Sequence, residues 1–299
     1  MQIAVTGSTG LIGSALVSLL KAKGQSVRRL VRDQRLAGTD QVFWDPVAGK
    51  LDPALLTGTE AIVHLAGENI VGRWTARKKV RIRDSRVNGT RLLADALARM
   101  ESPPRILLSA SAIGFYGNRG DELITEQAEA GSGFLPEVCR EWEAATGPAA
   151  GRGIRVASLR FGVVLSPAGG ALAKMLPPFR MGLGGRLGNG AQYMSWITLD
   201  DAVEAIHHTL VTDSLTGPVN LVSPGSVTNG DFTRVLARVL RRPALLPMPA
   251  AAARLLFGEM AEALLLGGAR VDPARLRASS FPFRHPELNG ALRELLGKT

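Results

Sequence analysis

Along the first half of the chain, short strand-like runs alternate with longer segments in which apolar residues recur every third or fourth position. Ile3 to Val5, Ser26 to Val31, Ala61 to Leu65, Arg105 to Leu108 and Ile154 to Leu159 predict strands. Leu11 to Lys23, Arg77 to Arg99 and Pro136 to Ala145 predict the helices between them. In the first of these Leu16, Leu19 and Leu20 share a face, and Gly24 is placed to end it. Such alternation predicts an α/β fold, a Rossmann-type doubly wound parallel sheet with helices on both faces.

From Ser166 to Gly190 the texture changes to glycine and proline punctuation around Leu172 to Phe179, which reads as an insertion rather than continued alternation. Trp196 to Asp201 and Pro218 to Val222 read as a return to the sheet. The last sixty residues are rich in alanine and leucine with helical spacing. Residues 1–165, joined by 196–222, are therefore expected to form a nucleotide-binding domain. Residues 166–299 would form a smaller, mainly helical C-terminal substrate lobe that includes a helical extension over 249–296. No internal repeat or low-complexity linker separates the two.

The strongest chemical signal is Thr6-Gly7-Ser8-Thr9-Gly10-Leu11-Ile12-Gly13, directly behind the first strand and opening the first helix. Gly7 permits the turn, Gly10 removes a Cβ that would block a pyrophosphate, and Gly13 lets the helix pack closely. The free N–H groups of the helix start would hold the anion of a dinucleotide. Arg32 lies nineteen residues beyond Gly13, where a guanidinium offers a planar fork to a ribose 2′-phosphate. Asp33 falls one place too late for the carboxylate that NAD sites use. The expected cofactor is NADP(H).

Composition narrows the alternatives. With 299 residues and 45% hydrophobic content the chain can build a real core. It shows no long apolar span and no basic leader before an apolar stretch, so a cytoplasmic protein without a membrane partner is expected. One cysteine and four histidines without metal-ligand spacing give no metal motif. The net charge of +10 raises nucleic acid as a partner, but the basic residues are scattered. The densest cluster, Arg73 to Arg86, reads as a solvated helix face, so no nucleic acid is expected.

With the glycine motif, Arg32, His64-Leu65-Ala66-Gly67, Ser109-Ala110-Ser111 and Tyr116-Gly117 in place, the chain resembles the extended short-chain dehydrogenase/reductases. The resemblance continues through Leu159 to Leu165 and Trp196 to Ala202. More narrowly, Leu65 to Ile70, Arg73-Trp74, Ser85-Arg86, Cys139 with Trp142-Glu143, Leu176 to Arg180, and an extension containing Gly258-Glu259-Met260 and Phe281-Pro282-Phe283 are similar to its atypical "epimerase family" branch, annotated for nucleoside-diphosphate sugars. The resemblance implies that Gly7, Thr9, Gly10, Leu11, Ile12 and Gly13 hold the pyrophosphate and Arg32 the 2′-phosphate. It also implies that Leu65, Ala66 and Gly67 lie along the ribose, that Arg86 reaches cofactor or substrate phosphate, and that Val164 lies near the nicotinamide.

Ordinary members of that superfamily use Tyr-x-x-x-Lys to exchange a proton. Here the two tyrosines, Tyr116 and Tyr193, are followed four residues later by Gly120 and Ile197. The usual helix aligns with Val138 to Glu143, which puts Cys139 at the tyrosine position and Glu143 at the lysine position. Ser111, Tyr116 and Glu68 are the remaining candidates for catalysis, Glu68 provided that desolvation raises its pKa. Cys139 needs a neighbouring base to act as a nucleophile, and its helix offers only Arg140. Two functions stay open: an atypical NADP-dependent oxidoreductase or epimerase acting on a small, phosphate- or nucleotide-bearing substrate that Arg86 and Arg180 would meet, or a non-catalytic NADP(H) sensor. A sugar epimerase of the usual kind requires another acid/base pair. Oligomeric state is not encoded in any motif.

Overall fold

The computed structural model describes residues 1–298; Thr299, the last residue of the expected substrate lobe, lies outside them. Seven parallel strands form the central sheet: β1 (Gln2–Thr6), β2 (Ser26–Val31), β3 (Gln41–Phe43), β4 (Ala61–His64), β5 (Ile106–Ala112), β6 (Arg155–Phe161) and β7 (Gly217–Leu221). Their spatial order is β7-β6-β5-β4-β1-β2-β3. β1, β4 and β5 are buried almost throughout, as strands covered on both faces must be. The register places Thr6 beside His64, and His64 beside Ser109.

Helix α1 (Leu11–Ala22) packs on one face with α6 (Leu199–Val211), sharing a core of Ile3, Val5, Leu16, Leu20, Val63 and Ile206. On the other face α2 (Ala76–Ala98) and the short α4 (Gly147–Gly151) bury Leu93 and Leu97 against Ala4, Ile62 and Leu107. Helix α3 (Phe134–Ala144) lies beside α2 and β5. The expected helices thus appear within two residues of their predicted ends, and Gly24, at a φ of 72°, follows the close of α1.

One strand was not foreseen and two expectations need correction. The edge strand β3 is only three residues long, with Val42 alone fully buried, so it leaves no periodic signal. Leu172 to Phe179 belong to a regular helix, α5 (Gly170–Arg180), whose last turn carries Pro177 and Pro178; those prolines made it read as irregular. Trp196 to Asp201 do not rejoin the large sheet. Trp196–Thr198 pairs in parallel with Val163–Ser166 in a separate two-stranded sheet, and α6 begins at Leu199. Pro218 to Leu221, by contrast, do lie in the central sheet, as β7.

Beyond α6 the chain is mainly helical. Helix α7 (Asn229–Leu240) packs on α5 and on the C-terminal helix Leu288–Leu295 around Leu176, Trp196, Phe232 and Leu292. The segment Met260 to Leu265 folds back onto Ile70, Trp74, Phe134 and Leu135. Among the described residues no helix is long and apolar enough to cross a membrane.

Candidate functional site

At the carboxyl edge of the sheet the strand order changes direction between β1 and β4, the place where a doubly wound sheet forms its ligand groove. Gly7 has a φ of 65°, and a Cβ on it would sit 2.8 Å from the Leu65 backbone. A Cβ on Gly13 would sit 2.1 Å from the Gly7 carbonyl oxygen. These two glycines allow the turn, α1 and the loop after β4 to meet. Gly10 differs: a Cβ there would meet no protein atom closer than 3.4 Å. No packing demand of the fold itself requires glycine there.

Helix α1 has no side-chain cap, and its first intrahelical bond runs from the Ser14 N–H to Gly10 O at 2.9 Å. The N–H groups of Leu11, Ile12 and Gly13 are therefore left at the positive end of the helix, beside the bare face of Gly10. That cradle fits an oxyanion such as a pyrophosphate.

A polar hub fixes the groove wall. Thr6 Oγ1 accepts the N–H groups of Leu65 at 3.0 Å and Ala66 at 3.1 Å, which occupies both its lone pairs. Its own hydrogen must then go to His64 Nδ1, 2.8 Å away. That assignment leaves the imidazole proton on Nε2, where it is donated to Thr90 Oγ1 at 3.0 Å. His64 is fully buried, and burial pushes its pKa down to about 4.

Arg32, immediately after β2, is exposed and makes no ion pair among the described residues. Asp33 is already engaged. It caps the turn Gln34–Leu36 by accepting the Arg35 N–H at 3.0 Å, and it pairs with the Arg35 guanidinium at 2.8 Å. The bond from Arg35 holds the Asp33 carboxyl below its usual range. On the other side of the groove Leu65 and Ala66 are half-buried and Gly67 is exposed. Arg86 lies beneath that loop, its Nη1 donating to the carbonyls of Glu68 at 3.0 Å and Ile82 at 3.1 Å and its guanidinium 5.0 Å from the Trp142 ring. Val164 is half-buried in the strand that leads to Gly169, whose Cβ position is 3.2 Å from Leu11. Of the residues proposed from sequence to surround a cofactor, the glycine turn, Arg32 and Leu65 to Gly67 thus follow β1, β2 and β4, and Arg86 lies against Gly67.

The catalytic candidates do not converge in the same way. Glu68 accepts a bond from Lys78 Nζ at 2.6 Å, with Arg81 at 3.6 Å, and the Lys78 bond holds its carboxyl below the ordinary range. The condition set for it as a proton donor, a raised pKa, is not met. Tyr116 is completely buried; its hydroxyl donates to Asn220 Oδ1 at 2.7 Å and accepts from Arg160 Nη1 at 2.9 Å. Burial raises its pKa against the pull of Arg160. Ser111, also buried, donates to Glu143 Oε1 at 2.6 Å. Glu143 in turn receives both Nε and Nη2 of Arg160 at 2.8 Å. The Cys139 thiol is buried, and its pKa is pushed up to about 12, first by burial and then by Glu143.

Sequence reasoning missed the pairing of Arg160 with Glu143 and the role of Thr6 as a hub. Arg160 carried a usable signal: a cation between Leu159 and Phe161 in a central strand needs a buried partner. Thr6 carried none, because its three partners come from a distant strand.

Residues 3–222 match the model of the NAD dependent epimerase/dehydratase family, and residues 248–295 match a domain of unknown function, DUF1731. The epimerase family protein Mb2239 of Mycobacterium bovis is 45% identical over 97% of this chain and 96% of its own. The crystal structure of human epimerase family protein SDR39U1 (isoform 2) with NADPH superposes with a TM-score of 0.91 at 33% identity, covering 100% of both chains. The nucleoside-diphosphate sugar epimerase of Corynebacterium glutamicum superposes at 0.82 with 37% identity, over 99% of this chain and 58% of that one.

Proposed function

The chain belongs to the NAD dependent epimerase/dehydratase family, and from that premise we propose that it binds NADP(H) in the groove and acts as an atypical oxidoreductase or epimerase. The observation that carries the cofactor reading is the end of β2. Asp33 is committed to Arg35, while Arg32 stands exposed with its fork unused. A ribose bearing a 2′-phosphate meets a cation there, whereas a bare 2′-hydroxyl meets no available carboxylate. The human relative crystallised with NADPH supports the same choice.

In this reading Gly7, Thr9, Gly10, Leu11, Ile12 and Gly13 hold the pyrophosphate through backbone N–H groups. Arg32 holds the 2′-phosphate. Leu65, Ala66 and Gly67 lie along the ribose, Arg86 contributes charge beneath that loop, and Val164 closes the far end. NADP(H) would supply two-electron redox chemistry. Residues 1–165 with 196–222 serve the cofactor, and 166–299 face a small substrate, with Arg180 as a further contact for its phosphate.

Tyr116 offers no phenol of lowered pKa, the Ser111 hydroxyl is committed to Glu143, and burial pushes the Cys139 thiol up rather than down. That same lock between Ser111, Glu143 and Arg160 favours a second reading, an NADP(H) sensor without turnover. Calorimetric titration of wild type and Arg32→Ala with NADPH and NADH tests the shared premise. Wild type should prefer NADPH, and the variant should lose roughly 1.5–3 kcal/mol of that preference, the range of a charged hydrogen bond. Unchanged preference in the variant overturns the assignment. NADPH oxidation across a carbonyl panel then favours the enzyme, and tight binding without oxidation favours the sensor.

A further inference from the structure

Of the three longest stretches without aspartate or glutamate, residues 1–32, 144–199 and 232–258, the structure brings parts of the last two together. The Leu246 N–H donates to Gly184 O at 3.3 Å, the Met248 N–H donates to Arg186 O at 2.9 Å, and a Cβ on Gly182 would lie 3.3 Å from Pro243. On this seam four large apolar side chains face solvent: Met181 at 65%, Leu183 at 53%, Leu245 at 81% and Leu246 at 55% exposure. Single exposed leucines are ordinary. Four on one seam are not, since contiguous apolar surface marks a contact site.

The charges around the seam have one sign. Arg180 and Arg186 flank Met181 and Leu183, and Arg241 and Arg242 precede Leu245; all four are exposed. None of them meets a carboxylate within ion-pair distance among the described residues. Arg241 also borders a cavity of about 430 Å³ lined by Arg238, Arg293 and Lys298 and by no acidic side chain. Cations near helix ends commonly offset the helix dipole. That accounts for Arg180, Arg238 and Arg293 in the last turns of their helices and for Arg241 directly after α7, but not for Arg186 and Arg242 beside an apolar seam.

We propose that this seam is a docking surface for an anionic phospholipid membrane, with Leu183, Leu245 and Leu246 entering the interface and Arg186, Arg241 and Arg242 meeting lipid phosphates. Apolar tips ringed by cations, with no acid between them, match the chemistry of an anionic leaflet. The contact is peripheral and requires no membrane-crossing helix.

The test is co-sedimentation of the full chain with phosphatidylcholine vesicles, with and without phosphatidylserine. Binding is expected only with phosphatidylserine and should weaken as salt rises. Arg241→Gln with Arg242→Gln should weaken it by roughly twentyfold, about fivefold per cation. Leu245→Asn with Leu246→Asn should weaken it while leaving NADPH titration unchanged, which shows that the variant is folded. Equal binding to both vesicles, no binding to either, or binding insensitive to these four substitutions overturns the proposal. So does a dimer of the wild type that Leu245→Asn with Leu246→Asn converts to monomer, because the seam is then a contact between copies.

Discussion

Thr6 and His64 share a buried hydrogen bond of 2.8 Å in which the threonine is the donor, since both of its lone pairs are taken by the loop after β4. A second proton on His64 would bring hydrogen against hydrogen at Nδ1.

This makes His64 a source of acid lability. Its pKa in the fold is about 4, against an ordinary 6.5. The unfolded chain therefore takes up a proton that the folded one refuses between those values. Stability from this group is complete above pH 6.5 and falls as pH drops toward 4, by about 1.4 kcal/mol per pH unit and roughly 3 kcal/mol in all. Urea unfolding across pH 4 to 7 should show that slope, and His64→Gln should flatten it.

The ion pair between Glu143 and Arg160 is doubly bonded and nearly dry, with 16% and 4% of the side chains exposed. Arg160→Met leaves a buried carboxylate with only Ser111 for company and should cost about 3–5 kcal/mol. Adding Glu143→Leu should recover much of that loss. Chemical denaturation of the two single variants and the double variant measures the coupling; simple additivity would show that the pair does not act as a unit.

Gly10 and Gly13 should separate binding from folding. Gly10→Ala has room in the protein and should keep the melting temperature of the wild type. It should weaken NADPH at least about tenfold, or ~1.4 kcal/mol, because the new methyl occupies the pyrophosphate side. Gly13→Ala drives a methyl into the Gly7 carbonyl and should lower the melting temperature itself. Thermal melts and calorimetry on the two variants read both effects.

Cys139 should be inert in the native protein. With its pKa near 12, only about one thiol in ten thousand is ionised at pH 8. Ellman's reagent should react promptly in denaturant and negligibly without it. Rapid native labelling would show that the thiol is accessible and ionised.

The sheet was legible because its strands are short, apolar and regularly interleaved with amphipathic helices. The glycine turn was legible because Gly7 and Gly13 answer local steric demands of the turn and Gly10 falls at the motif spacing between them. β3 escaped because three residues are too few to show a period, and α5 escaped because Pro177 and Pro178 look like breakers even in a last turn. The catalytic candidates fared worst for a physical reason. Ser111, Tyr116 and Glu68 were judged by residue type, yet what disposes of each proton is a partner remote in sequence: Glu143 for Ser111, Asn220 and Arg160 for Tyr116, and Lys78 for Glu68.

The Glu143 and Arg160 pair also limits what substitution at this site can reach. Cys139→Tyr with Glu143→Lys would set the new ammonium against the Arg160 guanidinium in a largely buried site, where like charges repel strongly. Position 160 would have to change in the same step, and Tyr116 and Ser111 would then need new partners. A Tyr-Lys pair therefore cannot be grafted here one residue at a time without first unsettling the fold.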